Sequence, residues 1–305
     1  MYDLIIIGGG PAGAAAGVYA ARKRLVSLLI ASDFGGQSSV SSEIQNWIGA
    51  VSISGSDFAT NLRTHVMAYA GDVLTMREEW VSKVAKEDDI VTVTTNKETY
   101  RARAVLVATG SSRRKITIPG AEKYEHKGVT YCASCDGPLF SEMDVVVIGG
   151  GNAAFETAAQ LLAYAKSVTL IHRGDTFRAE PLTVEKLSNE SNLRIIKNAE
   201  LLEVKGDKMA SALVYKDKIS GERIELPTQG IFVEIGQIPS TDFVKGTIPL
   251  NDEGNIIIDP RTQKTQTSGI WAAGDCTDIL YHQNNIAAGD AVRALEDIYV
   301  TLRAK

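Results

Sequence analysis

At 305 residues, 44% hydrophobic and 23% charged, the chain is long enough for two domains of ordinary size and too apolar to be disordered. A formal net charge of −5 lacks the basic surplus of a nucleic-acid-binding protein. No run approaches the roughly 18 consecutive apolar residues of a membrane span. A strand opens near Asp3 with no basic leader or cleavage signal before it, so a cytoplasmic protein is expected.

Residues 4–7 form a short apolar run that ends in Gly8-Gly9-Gly10-Pro11-Ala12-Gly13, and an alanine-rich segment follows. The pattern predicts a strand at 4–7, a tight turn, a helix over 12–22 and a second strand at 26–30. Such a unit brings a nucleotide pyrophosphate against a helix N-terminus, with glycines allowing the close approach. Residues 80–100 alternate β-branched residues around a turn at Glu87-Asp88-Asp89, predicting an antiparallel meander over the first sheet. A buried strand at 105–109 then returns to Gly110.

The same device recurs about 140 residues later. A strand at 145–148 leads into Gly149-Gly150-Gly151-Asn152-Ala153-Ala154, a helix at 153–163 and a strand at 168–171. A second meander is predicted over 200–226, then a strand at 230–235 ending in Gly236. After Pro239, segments 256–258, 269–273 and 285–302 are too few for a third unit and should complete the first. The expected architecture is α/β, with two Rossmann-like three-layer nucleotide-binding domains, each carrying an antiparallel β-meander. The second domain (114–245) is inserted into the first (1–113 and 246–305), with crossings near 110–116 and 238–248.

Between the glycine loops lies Cys132-Ala133-Ser134-Cys135-Asp136. A Cys-x-x-Cys pair is either a redox dithiol or half of a zinc site. With three cysteines and four histidines in the chain, and only His126 close in sequence, four zinc ligands are hard to assemble, so no metal is expected. With the second cysteine in the first turn of a helix, the unpaired N–H groups and helix dipole favour thiolate. Cys276 reads as a small buried residue. Arg113-Arg114-Lys115 reads as a solvated linker or, alternatively, a landing site for an acidic partner.

Taken in order, Gly8 to Gly13, Gly35-Gly36-Gln37, Ala108-Thr109-Gly110, Cys132 to Gly137, Gly149 to Ala154, His172-Arg173 with Arg178, and Ala273-Gly274-Asp275 resemble the low-molecular-weight thioredoxin reductases over essentially the whole chain. They also resemble the reductase core of the alkyl hydroperoxide reductase flavoprotein. The resemblance implies that FAD lies on Gly8, Gly10, Ala12, Gly13 and Asp275, with Gly35, Gly36, Gln37, Asn46, Thr109, Gly110 and Gln283 as further flavin contacts. NADPH would lie on Gly149, Gly151, Asn152, Ala153, His172, Arg173 and Arg178. Arginine, rather than an acid, after the second strand accommodates a 2′-phosphate.

The resemblance makes Cys135 the flavin-facing thiol, Cys132 the thiolate that attacks an external disulfide, and Asp136 the acid that protonates a departing thiolate; Asp136 as a helix cap is the plainer alternative. It implies a thioredoxin-disulfide reductase, a homodimer, and rotation of one domain against the other about the two crossings. The segment 131–140 looks closer to the hydroperoxide reductase flavoprotein, but that protein's thioredoxin-like N-terminal extension has no counterpart here. A separate thioredoxin or thioredoxin-fold acceptor is therefore expected. Gly174 stands where the family carries a third arginine, and Phe155 where a smaller aliphatic is common. These departures leave open NADH or a protein electron donor, as in peroxiredoxin-system or ferredoxin-type reductases. A flavin redox sensor without turnover is the reading from another class.

Overall fold

The computed structural model describes residues 1–41 and 43–303. They divide into two compact units, Met1–Ser112 with Ile238–Lys305, and Arg113–Gln237. The second boundary falls at 237/238, against the 245/246 read from the sequence. Residues 238–245 belong with the first unit because Val244 is fully buried in its core beside Val84 and Ile256.

The chain opens with β1 (Tyr2–Ile7), α1 (Pro11–Arg22) and β2 (Ser27–Ile30). Next come α2 (Gly55–Met67), whose Ser54 cap accepts from Asp57 N at 3.1 Å, and β3 (Leu74–Arg77). The meander is β4 (Val81–Glu87), β5 (Ile90–Thr95) and the first part of β6 (Thr99–Val107). The meander's last strand and the returning buried strand, expected as two, are one. Residues 99–102 of β6 pair antiparallel with β5 and 102–107 pair parallel with β1. β7 (Ser111–Arg113) is the first crossing.

The second unit contains β8 (Val129–Thr130), α3 (Ala133–Asp136), β9 (Asp144–Gly149), α4 (Asn152–Leu161), β10 (Ser167–Ile171), α5 (Pro181–Ser188) and β11 (Leu193–Ile196). Its meander, β12 (Ala199–Gly206), β13 (Ala210–Asp217) and β14 (Arg223–Pro227), forms a separate antiparallel sheet. β15 (Gly230–Glu234) returns to the main sheet, and β16 (Gln237–Pro239) pairs with β7, so the two crossings run side by side. β17 (Ile270–Ala272) and α6 (Asn284–Arg303) then complete the first unit, β17 alongside β6.

The parallel strands run in the order β3-β2-β1-β6-β17 in the first unit and β11-β10-β9-β15-β8 in the second. Their near-continuous apolar sequences follow from burial on both faces. In the first unit, one face packs with α1 and α6 through Leu4, Leu106, Ala16 and Leu295; the other packs Ile5 and Leu28 against Val84, Val91 and Val93 of the meander. In the second, Val147 and Phe232 meet Phe155 and Ala158 of α4, while Val146 and Ile231 meet Leu213 and Tyr215 of the meander. Each unit therefore has three layers. No described helix is long and apolar enough to cross a membrane.

Candidate active site

The first glycine loop closes the gap between β1 and α1. A Cβ on Gly13 would lie 1.8 Å from Gly8 O, and one on Gly8, at φ +121°, would lie 2.2 Å from Ala108 O. Only glycine lets helix and strand approach so closely. Gly10 differs: a Cβ there would meet no protein atom within 4 Å, and the residue caps the N-terminus of α1 just before Pro11. The cradle fits a dinucleotide pyrophosphate, with Ala12 in the first helical turn.

The other expected flavin contacts lie in the same unit. Gly35 N donates to Gly9 O at 3.1 Å, and Gly35 and Gly36 have φ of +88° and +57°. Gln37 Nε2 donates to Ser111 Oγ at 3.2 Å, and Asn46 Nδ2 to Gln283 Oε1 at 3.2 Å. Thr109 Oγ1 donates to Ser240 O at 2.8 Å, next to Gly110. Asp275 follows Gly274, at φ +75°, and lies 3.4 Å from His282 Nδ1. That nitrogen has no hydrogen-bond partner, and neither has the buried Asp290 Oδ2 on α6. Burial raises the Asp290 carboxyl above its ordinary range, and Asp275 adds to the rise. His282 and Asp290 were not anticipated from the sequence; neither belongs to a glycine motif.

The second loop repeats the construction. A Cβ on Gly149 would lie 2.4 Å from Glu234 O, and one on Gly150 would run into the His172 ring, whereas Gly151 is open to 4 Å at the start of α4. His172, expected to contact coenzyme, braces the loop: its Nε2 is 2.9 Å from Thr176 O and its ring packs on Phe177. Asn152 Oδ1 accepts from Glu180 N at 2.8 Å, and Arg178 N donates to Gly150 O at 2.8 Å. Residues 172–180 thus fold back over the glycines. Arg173 and Arg178 are exposed, as is Ala153 in the first turn of α4. Lys218 Nζ donates to Arg173 O at 2.8 Å, holding the main chain at Gly174. Phe155 is fully buried and packs edge-on against Phe177 at 4.9 Å, so it belongs to the core rather than to an open pocket.

Cys132 and Cys135 are joined by a disulfide, with Cα atoms 5.3 Å apart. Cys132 caps α3, its Sγ accepting from Cys135 N at 3.2 Å, and Cys135 lies in that first turn as the spacing suggested. The Asp136 carboxyl makes no capping bond to the short 3₁₀ turn it precedes. It accepts instead from Thr130 Oγ1 at the end of β8. Burial raises Asp136 above the ordinary carboxylate range, while Thr130, His126 and Arg113 work against that rise. The capping alternative is not realised in the geometry.

Cys276 is completely buried, its thiol pushed up to about 11 by desolvation. The basic cluster is not a bare patch: Arg113 lies 3.7 Å from Glu234 and Lys115 lies 2.7 Å from Glu125. Glu234 went unnoticed, although an acid ending the apolar strand Ile231-Phe232-Val233-Glu234 was a visible signal.

Two glycine cradles on parallel sheets, with a dithiol on the second unit, define a dinucleotide-dependent disulfide oxidoreductase. The chain belongs to the pyridine nucleotide-disulphide oxidoreductase family, whose pattern matches residues 2–293. Within it, the chain is similar to thioredoxin reductases. It is 38% identical over 299 residues to the thioredoxin reductase of Mycolicibacterium smegmatis, covering 97% of this chain and 95% of that one. It is 39% identical to a subunit of the alkyl hydroperoxide reductase of Xanthomonas campestris pv. phaseoli (96% and 56% covered) and 36% to a protein of Bacillus subtilis named NADH dehydrogenase (96% and 57%). The chain thus spans a little over half the length of these last two relatives. The crystal structure of Streptococcus pyogenes thioredoxin reductase superposes with a TM-score of 0.91 at 32% identity, covering 100% of this chain and 99% of that chain.

Proposed function

We propose that the protein is an FAD-dependent reductase that takes electrons from NADPH and passes them through Cys132–Cys135 to the disulfide of a thioredoxin or thioredoxin-fold protein. The observation that carries this reading is the Cys132–Cys135 disulfide, closed around the first turn of α3, with the partly buried Asp136 beside it. Bound FAD supplies the two-electron relay between a hydride donor and that disulfide.

The chain's residues do the rest. Gly8, Gly10 and Gly13 let the first loop and α1 hold a flavin pyrophosphate, and Gly149 and Gly151 do the same for the coenzyme. Arg173 and Arg178, free of acidic partners among the described residues, are the candidates for a 2′-phosphate, and no acid stands at the end of β10 to bind a ribose hydroxyl. Once the pair is reduced, the Cys132 thiolate attacks the acceptor disulfide and forms a mixed disulfide. Cys135 then displaces the acceptor's second thiolate and restores the Cys132–Cys135 bond. Asp136, whose carboxyl burial raises above the ordinary carboxylate range, gives a proton to the departing thiolate.

The test is anaerobic mixing of the flavin-loaded protein with NADPH and, separately, NADH, following loss of visible flavin absorbance. Rapid bleaching by NADPH and slow bleaching by NADH is expected. The reverse order would replace NADPH by NADH, in line with Gly174 and with the relative named NADH dehydrogenase; no bleaching by either would point to a protein donor.

A further inference from the structure

The Cys132–Cys135 pair has neighbours whose charges the reaction above leaves unused. Glu234 ends β15, which lies between the strand of the second glycine loop and the strand leading to the dithiol. It pairs with Gly149 on β9. Two residues earlier Phe232 pairs with Thr130 on β8, so Glu234 and Cys132 each lie two residues beyond that pair, at the carboxyl ends of adjacent strands. Side chains two apart on a strand share a face. Glu234 therefore lies on the face of Phe232, which shares its core with Ala133 of α3 and with Phe155 and Ala158 of α4.

The Glu234 side chain is 11% exposed and its two oxygens go to different elements. Oε1 accepts from Thr157 Oγ1 on α4 at 3.0 Å, and Oε2 lies 3.7 Å from Arg113 Nη1 on β7. The groups that act on this carboxyl are Arg113, Thr157 and, unfavourably, Glu156 of α4; those that act on Asp136 are Thr130, His126 and the same Arg113. One guanidinium thus pairs with Glu234 and acts through its charge on Asp136, both of them partly buried acids. Glu234 is pushed up to about 7, chiefly by desolvation, so its charge changes in the neutral range.

We propose that Arg113 and Glu234 are positioning residues for the dithiol: Glu234 fixes the Arg113 guanidinium in the field of Asp136, and the net charge of this pair sets how readily Asp136 and the Cys132 thiol ionise. With Glu234 ionised the pair is neutral; with Glu234 protonated it carries one positive charge, which favours carboxylate and thiolate nearby. Neither residue exchanges electrons or forms a bond to the acceptor. The idea rests on the disulfide-reductase reading only for the role of Cys132.

The experiment needs neither coenzyme nor acceptor, so failure of the NADPH or thioredoxin assignment leaves it intact. The flavin-loaded protein is reduced with dithiothreitol, freed of it, and alkylated with iodoacetamide between pH 5 and 9; the buried Cys276 does not compete. Glu234→Gln keeps a partner for Thr157 and makes the positive charge permanent, so its profile should move to lower pH. On the rising limb this is a rate increase of about 3- to 10-fold, corresponding to roughly half to one pH unit. Arg113→Gln should move the profile the opposite way by a similar amount, and Arg113→Lys should stay near wild type. A merely structural pair would not shift the two variants in opposite directions. Profiles that superpose on wild type, shift in the same direction, or make Arg113→Lys resemble Arg113→Gln would overturn the proposal. If Arg113→Gln does not fold, the direction of the Glu234→Gln shift decides alone.

Discussion

Thr130 Oγ1 donates a hydrogen bond to the Asp136 carboxyl, tying the end of β8 to the last residue of α3. The bond favours the ionised acid against the burial that favours the neutral one. Thr130→Val should therefore raise Asp136 further, and the pH at which thiol exchange falls off as Asp136 loses its proton should move upward. The profile of turnover with a small aromatic disulfide reads this directly. Asp136→Asn, which loses no capping bond, should keep the melting temperature and slow exchange by about 100-fold, at the low end for a lost general acid.

Glu234 also leaves a mark on stability. Its ordinary value is 4.5 and its folded value about 7, so between those pH values the folded protein holds more of this proton than the unfolded chain does. Stability from this group is complete below about pH 4.5 and is lost as pH rises through about 7. Glu234→Gln should match wild type in urea melts near pH 4.5 and exceed it at pH 8. The difference should be on the order of 2 to 4 kcal/mol. Equal stability at both pH values would mean the carboxyl is better solvated than its surroundings indicate.

Two glycines in the same loop should respond differently to one methyl group. Gly13→Ala forces a backbone shift at Gly8 and should cost about 1 to 3 kcal/mol, as overpacking does. Gly10→Ala meets no protein atom and has an ordinary φ of −72°, so its apoprotein should stay within about 1 kcal/mol of wild type. It should nevertheless purify with several-fold less flavin. Full flavin content in Gly10→Ala would mean that the cofactor does not approach this loop.

Arg173→Ala removes one charge-assisted hydrogen bond to a 2′-phosphate, worth about 1.5 to 3 kcal/mol. kcat/KM for NADPH should fall by about 10- to 150-fold while that for NADH stays nearly unchanged. Equal losses for the two coenzymes would assign Arg173 to the loop rather than to the phosphate.

Features carried by local patterns were legible in the sequence. Both strand–turn–helix units announce themselves through apolar runs ending in glycine, and Cys132 with Cys135 by spacing alone. What long-range pairing decides was hidden. That β6 serves both the meander and the parallel sheet depends on Ala102 pairing with Val91 on one side and Tyr2 on the other. The boundary at 237/238 depends on Val244 reaching a core that includes strands more than 100 residues earlier, such as those of Ile5, Val84 and Val107. Arg113 and Glu234 lie 121 positions apart, so a residue in a basic run and a residue ending a strand carried no mark of each other. The Phe155 position looked like a disturbed coenzyme pocket until its ring was seen to face Phe177 and the core.

The pairing of β7 with β16 also bears on how such a chain can arise. Strands in a ladder lie roughly 5 Å apart, so the second unit begins and ends at neighbouring points. Its ends are as close as those of many independent domains, the arrangement that makes a segment portable between hosts. The five parallel strands of the first sheet are contributed from both sides of the insert. Excision at the crossing, with a short turn joining residue 110 to residue 240, would leave that sheet with every strand it has now. The polypeptide thus has the form of a host and a cassette, each able to change its sequence without rerouting the other.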